Sequence, residues 1–266
     1  MNFQLAAGSF FVFMLAVVRA TAWLSFAPPF SSSAIPPLVR FGLAAALAMA
    51  VTPQLAAAPG GGGAPFSSVA SSLGTGSFIT DLVVQAVIGC LLGFMTSLLF
   101  SIIMSAGALT DMTSGLSASS TFDPLSGNVN PVTANIYNVL LTTLLFVTEG
   151  DLVVVKGFML SFRAVGLSTR SMALIGPTLM AEVGFFFAAA VEIAAPVLGC
   201  MFLAYVALGL LTRSAPQLNV MSLGFALNIA LAIVVVGVSL PLLPGAVNTI
   251  VERVVTDTLG LMGLRP

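Results

Sequence analysis

The sequence predicts an all-α integral membrane protein built from about six hydrophobic helical segments. Three observations lead to this fold class: 58% of the 266 residues are hydrophobic, only 6% are charged, and the mean hydropathy is +1.13. A water-soluble domain usually carries about a quarter of its residues as Asp, Glu, Lys or Arg. Most of this chain is therefore expected to be surrounded by lipid or by other apolar chains.

Six apolar runs are candidates for membrane segments, because a helix needs about 20 apolar residues to cross a hydrocarbon core of about 30 Å. They cover approximately residues 5–28, 38–57, 82–109, 136–162, 178–211 and 220–243. Glu149-Gly150-Asp151 divides the fourth run, which forms either a helical hairpin or one broken helix. The fifth run is too long for one perpendicular span, and Pro196 can supply a kink. The sixth run is expected to end at Pro241 and Pro244.

Two polar stretches lie between these runs. Residues 59–77 are rich in Gly, Ser, Ala and Pro, so they are predicted to be a flexible linker outside the membrane. Residues 111–131 carry Asp111, Asp123-Pro124 and Gly127-Asn128 and are predicted to form a polar loop. Residues 1–266 as a whole are predicted to be a single membrane domain.

The composition argues against catalysis and against nucleic-acid binding. Because the chain has no histidine, it cannot build a Ser-His triad or an HExxH zinc site. We therefore expect a protein that is not an enzyme and that holds neither a cofactor nor a metal. The net charge of −1 provides no basic surface for nucleic acid.

Three charged residues, Arg19, Glu182 and Glu192, lie inside otherwise apolar runs. A charge buried in a membrane segment is costly unless it is paired. These residues either form a proton or ion path or make structural contacts to neighbouring helices. Structural contact is favoured, because the two glutamates are about 80° apart around a helix.

Small residues recur every four positions in the third run. The ladder consists of Gly89, Gly93, Ser97, Ser101 and Ser105. Such a face allows two helix backbones to approach closely. The spacing predicts tight helix packing but does not say against which partner.

Two stretches carry a resemblance to a known family. Residues 209–220 read GLLTRSAPQLNV and are followed by Gly224-Phe225, and residues 115–117 read GLS before FDPLSG at 122–127. Both resemble the FliR family of flagellar and type III secretion export-gate subunits, which includes the injectisome SctT homologues. The early positions Arg19, Pro29-Phe30, Ile35-Pro36 and Arg40 agree with the same pattern.

The resemblance implies a place in a larger assembly. FliR-like proteins join FliP and FliQ in a helical, ring-like gate, and FlhB and FlhA are further expected partners. Unfolded export substrates pass through the axial pore of this gate. The implied location is the bacterial inner membrane at the flagellar basal body, where the multi-pass chain also contacts lipid.

The resemblance also assigns candidate site residues. In the family, the loop that matches residues 111–131 projects into the pore and helps to close it. Its candidate pore residues here are Met112, Gly115, Leu116, Ser117, Phe122, Asp123, Pro124 and Gly127. The family usually has aromatic residues where this chain has Ala118 and Thr121. A second candidate site is the assembly turn after the fifth run, formed by Arg213, Pro216, Gln217 and Asn219.

Two functions of different class follow. The first is a non-catalytic, pore-forming subunit of the flagellar type III export gate. The second is a stand-alone secondary transporter in which Glu182 or Glu192 carries protons. Transporters often contain internal repeats, and the two halves of this sequence show no convincing repeat.

Overall fold

The computed structural model describes residues 2–28, 30–32, 35–56, 75–118, 131–164, 169–214 and 220–261. The helices are α1 (Asn2–Phe26), α2 (Pro37–Ala56), α3 (Thr75–Ser114), α4 (Val132–Val147), α5 (Gly150–Ala164), α6 (Thr169–Ser214), α7 (Val220–Ser239) and α8 (Leu243–Leu261). Short 3-10 turns cover Leu116–Ala118 and Leu240–Leu242. The described residues contain no strand, so the all-α prediction is confirmed.

Three stretches are long and apolar enough to cross a membrane: Phe78–Ser114, Leu179–Ser214 and Gly224–Val254. Helices α4 and α5 together would make a fourth span if they are counted as one broken unit. The apolar parts of α1 and α2 are shorter and cover Phe10–Phe26 and Pro37–Pro53. All six predicted segments are therefore helical, which is consistent with a multi-pass membrane protein.

Helix α3 is longer than the apolar run that predicted it. It begins at Thr75, inside the expected linker, and continues through Ser114, so residues 111–114 of the predicted loop are helical. In its polar end the Thr110 hydroxyl donates to the Ala106 carbonyl at 3.1 Å. The Thr113 hydroxyl donates to the Leu109 carbonyl at 2.9 Å in the same way. Local hydroxyl-to-backbone bonds of this kind reduce the cost of burying polar side chains.

The fourth segment breaks where the sequence predicted. Helix α4 ends at Val147, its C-cap is Thr148, and α5 begins at Gly150. Glu149 between them has a φ of 55°, which is unusual for a residue with a side chain. This backbone conformation ends α4, and the pair is either a broken span or a re-entrant loop.

Pro196 does not end the helix of the fifth segment, whereas α7 of the sixth segment ends at Ser239, just before Pro241. Pro196 lies within α6, which continues to Ser214. Pro241 lies in the 3-10 turn Leu240–Leu242, and Pro244 is the second residue of α8. A proline in a first turn removes no needed donor, because those N–H groups have no helical partner. The helix of the sixth run therefore ends just before Pro241, as expected, whereas the apolar stretch continues beyond Pro244 into α8 as far as Val254.

The chain divides into two compact units. The first unit consists of Met1–Leu99, Glu149–Ala181 and Val251–Pro266. Its core is aromatic and alanine-rich: Trp23 stacks on Phe158 with ring centroids 4.4 Å apart, beside buried Ala20 and Leu92. The small alanines allow the helices of this unit to pack closely.

The second unit consists of Phe100–Thr148 and Glu182–Ile250. Helices α6 and α7 pack against each other through Val197, Met201 and Ala232, which are all buried. Tyr137 and Leu141 of α4 are buried in this unit as well. Its described residues include the predicted pore-loop flanks and both intramembrane glutamates.

Candidate pore-loop and assembly sites

The first two members of the small-residue ladder lie directly against α1. A Cβ atom placed on Gly93 would be 2.7 Å from the Trp23 carbonyl oxygen and 2.8 Å from the Phe26 Cβ. A Cβ on Gly89 would overlap the Arg19 carbonyl oxygen. Only hydrogen fits at these positions, so α1 and α3 meet backbone to backbone in the first unit.

The rest of the ladder is less closely packed. Ser97, Ser101 and Ser105 are half-buried, and the Ser97 hydroxyl donates to the Phe94 carbonyl at 2.8 Å. Gly107, two residues beyond the ladder, makes a further close contact in the second unit. A Cβ on Gly107 would lie 2.5 Å from the Ala134 Cα of α4. Whether the serines contact another subunit stays a prediction.

Arg19 forms a fully buried polar cluster in the first unit. Its Nε donates to the Gln85 Oε1 at 2.7 Å, and its Nη1 donates to the Ser161 carbonyl at 3.0 Å. The guanidinium carbon lies 4.5 Å from the centroid of the Phe162 ring. Among the described residues, Nη2 has no hydrogen-bond partner. Arg19 thus connects α1, α3 and α5, which matches the structural interpretation of its charge.

Asp111 of α3 caps a different helix. The Thr133 N–H donates to both carboxylate oxygens of Asp111 at 3.0 Å, and the Ala134 N–H donates to one of them at 3.3 Å. These are unpaired first-turn donors of α4, whose N-cap residue Pro131 provides no side-chain cap. A carboxylate also interacts favourably with the positive end of the helix dipole. Asp111 is therefore buried, instead of lying in a free loop.

The described pore-loop residues lie at the end of α3. Met112 is 75% exposed, whereas Leu116 and Ser117 belong to the 3-10 turn. Gly115 has a φ of +79°, a left-handed conformation that suits a glycine just after a helix. Phe122, Asp123, Pro124 and Gly127 lie outside the described residues.

Gly115 brings two sequence motifs together. A Cβ on Gly115 would lie 3.4 Å from the Phe225 ring, so the GLS motif contacts the Gly224-Phe225 motif within the second unit. The Tyr205 hydroxyl donates to the Thr113 carbonyl at 2.6 Å and adds a link from α6 to the same place. The flank of the loop is thus held by side chains of α6 and α7.

The assembly turn is described only at its start. Arg213 is exposed in the last turn of α6, where a cation is favourable to the helix dipole. Pro216, Gln217 and Asn219 lie outside the described residues. Their predicted role in assembly therefore stays a prediction.

The two glutamates of α6 occupy different environments. Glu182 is 4% exposed, whereas Glu192 is exposed and lines a groove in the second unit. Within the part of the chain that the structure describes, no three Cys, Asp or Glu side chains converge as a metal site. The two carboxylates do not form one joint site for a proton or an ion.

Comparison with known proteins decides the family. The family model described as "Bacterial export proteins, family 1" matches residues 10–254, which is most of the chain. The chain belongs to this family. Its resemblance to FliR is confirmed by the same match and by the relatives described next.

The chain is similar to proteins named flagellar biosynthetic protein FliR and surface presentation of antigens protein SpaR. It is 30% identical to the flagellar biosynthetic protein FliR of Pectobacterium carotovorum over 228 residues, 85% of this chain and 83% of the relative. It is 28% identical to the Escherichia coli K12 FliR over the same coverage of both chains. It is also 28% identical to the surface presentation of antigens protein SpaR of Shigella flexneri, over 57% of this chain and 59% of the relative.

Several contacts of this family member were not visible in the sequence. Gln85 and Ser161 accept hydrogen bonds from Arg19, and Gly107 makes a close backbone contact with α4. The sequence predicted none of these three contacts. Gln85 could have been found as a polar residue one turn before Gly89 in an apolar run. Ser161 gave no signal, because its backbone carbonyl is the closer acceptor for Arg19.

Proposed function

We propose that the chain is a non-catalytic, pore-forming subunit of the flagellar type III protein export gate. In this role it assembles with FliP and FliQ, next to FlhB and FlhA, in the bacterial inner membrane. Unfolded export substrates pass through the pore of the assembled gate. The family match and the relatives named FliR and SpaR support a component of the type III export apparatus.

The observation that best supports a subunit, as opposed to an independent transporter, is the uncovered face of α6. Gly184, Gly199 and Gly209 have no atom within 4 Å of the place where a Cβ would stand. Large apolar side chains on the same helix are also exposed, including Phe187 at 64% and Phe202 at 66%. Lipid contact does not require glycine, whereas a second helix can approach closely only at small residues. A partner helix is the better explanation for this surface.

The contacts at the base of the candidate pore loop are compatible with the proposed plug. The N–H of Thr133 donates a hydrogen bond to the Asp111 carboxylate, so the two flanks of the loop lie next to each other. Gly107 and Ala134 add a backbone contact just below this bond. The contacts of α3 with α4 at this place are made by residues outside 116–130. Positive φ at Gly115 allows a sharp change of chain direction at the start of the loop.

Removal of the loop tests the plug. Deleting residues 116–122 is expected to leave the gate assembled but leaky to small solutes, because the deletion removes closure and no packing helix. Complex recovery and dye efflux from reconstituted liposomes would be measured together. The matched control is a seven-residue deletion in the linker, residues 60–66, which is expected to keep the gate closed. An assembled and tight 116–122 deletion would assign closure to partner side chains.

A further inference from the structure

The groove beside Glu192 lies between α4, α6 and the junction of α7 with α8. Its cavity volume is about 280 Å³, and its walls are mostly apolar, with Phe185, Ile193 and Leu242 among them. One side is closed by Tyr137, which is buried, and Ser239 lies beside the Tyr137 hydroxyl. The groove thus offers space for side chains from outside this unit.

The Glu192 carboxylate is the unsatisfied group of the groove. No Lys or Arg is among the lining residues, and Glu192 has no hydrogen bond or ion pair within the described chain. The neighbouring hydroxyls donate to backbone carbonyls and not to Glu192. The Ser239 hydroxyl donates to the Val236 carbonyl at 2.9 Å, and the Thr249 hydroxyl donates to the Gly245 carbonyl at 3.1 Å. The groove therefore combines apolar walls with one negative charge that lacks a donor.

We propose that this groove receives an apolar helix of a partner subunit and that a Lys or Arg on this helix pairs with Glu192. The inference rests on the proposed function, since it names the surface and the chemistry of one assembly contact. A lipid acyl chain could fill the apolar walls, but it would leave a carboxylate without a donor in an apolar environment, which is strongly unfavourable. A cationic side chain supplies both the opposite charge and the donors.

The geometry of α6 next to the groove fits a helix better than an isolated side chain. Gly199 lies seven residues after Glu192, about two helical turns further along the same face. Its Cβ position is open, so a partner helix can approach the α6 backbone there. The incoming helix would then cross α6 near Gly199 and insert its charged residue beside Glu192.

The test uses the full chain co-expressed with the FliP and FliQ homologues of the same bacterium. A photoreactive amino acid at Ile193 is expected to cross-link a partner subunit in the assembled complex. Glu192→Lys is expected to lower complex recovery about ten-fold or more, because two cations would then face each other across the groove. The matched control is Glu252→Lys, at an exposed glutamate outside the groove, which is expected to keep parental recovery.

Charge exchange completes the test. Changing the cross-linked Lys or Arg of the partner to Glu is expected to restore recovery of the Glu192→Lys complex. The proposal is overturned if the probe at Ile193 labels only lipid, if Glu192→Lys assembles like the parent, or if no exchange restores assembly. A parent chain that does not co-purify with FliP and FliQ would instead overturn the proposed function.

Discussion

At the scale of single residues, buried polar groups in this protein are satisfied across helices far apart in sequence. Gln85 lies 66 residues from Arg19, and Ser161 lies 142 residues from it. Asp111 accepts a hydrogen bond from the N–H of Thr133, 22 residues later and in the next helix. A buried group that loses its partner costs more than the bond itself contributes. These few residues should therefore influence stability more than their number suggests.

Gln85→Leu is expected to destabilise the chain more than Arg19→Met. The first change leaves a second donor of the buried cation unpaired, in addition to Nη2, at a cost of about 1–3 kcal/mol or more for a charged group. The second change removes the charge itself. The measurement is the thermal midpoint of the detergent-solubilised chain by size-exclusion fluorescence. Asn138→Leu is the control for replacing a polar helical residue. The double variant should be less destabilised than the sum of the single changes, and strict additivity would contradict the cluster.

Asp111→Ala is expected to lower stability by about 1–3 kcal/mol, because it leaves the first-turn N–H groups of α4 without an acceptor. Asp111→Asn keeps one oxygen acceptor and should lose less. The thermal midpoint of both variants would be compared with that of Asp81→Ala, a half-buried aspartate on the same helix. Equal midpoints for Asp111→Ala and Asp81→Ala would show that the cap contributes nothing.

At the scale of helices, close packing depends on a few glycines. Gly89 and Gly93 place α3 against the α1 backbone, while Gly42 of α2 has open space at its Cβ position. The same residue type is therefore required at one place and replaceable at another. Spacing alone does not separate the two cases, because only the partner backbone decides whether a methyl group fits.

Gly93→Ala is expected to destabilise the chain, because the new methyl group would lie 2.7 Å from the Trp23 carbonyl oxygen. Gly42→Ala is the matched control in the same unit, and alanine there should stabilise its helix by about 0.5–1 kcal/mol. Thermal midpoints of the solubilised chains would separate the two. A Gly93→Ala variant as stable as Gly42→Ala would mean that α1 moves away without penalty.

The sequence was sufficient to locate the helices but not their ends or their partners. Apolar runs predict α3 and α6 because membrane segments need continuous hydrophobicity. The extension of α3 to Ser114 was missed, because an aspartate in a polar stretch usually indicates a loop. Here Asp111 stays in the helix and accepts a hydrogen bond from the first turn of α4, which the sequence does not show. The extension of the apolar stretch beyond Pro244 into α8 was missed, because Pro244 lies in the first turn of α8, where proline is tolerated. The glycine spacing predicted close packing, but not that α1 is its partner.

At the scale of the whole molecule, we expect the stability of the isolated chain and its proposed assembly into a gate to depend on different surfaces. Gly93 and Gly107 contact helices of their own units, whereas Gly199 faces open space. Substitutions at Gly93 or Gly107 should therefore lower the stability of the isolated chain, and should affect assembly only as a consequence. A substitution at Gly199 should affect assembly alone if this face of α6 forms a subunit interface.

Gly199→Leu is expected to leave the thermal midpoint of the isolated chain unchanged while lowering recovery of the complex with FliP and FliQ several-fold. The added side chain meets no atom within the chain, but it would prevent close approach by a partner helix. Both quantities would be measured on the same preparations, so that folding is controlled directly. Full recovery of the complex would show that Gly199 does not lie at the interface.

The Arg19 cluster also sets an order of events during synthesis. Arg19 is made 66 residues before Gln85 and 142 residues before Ser161. At about 5–20 residues per second, the interval to Ser161 is about 7–28 s. Gln85 is made within this interval, but until Ser161 follows, the cation of α1 lacks one of its buried partners. Nascent chains released before residue 161 should consequently be exposed to membrane quality-control proteases, which would confine completed α1 packing to chains that extend past residue 161.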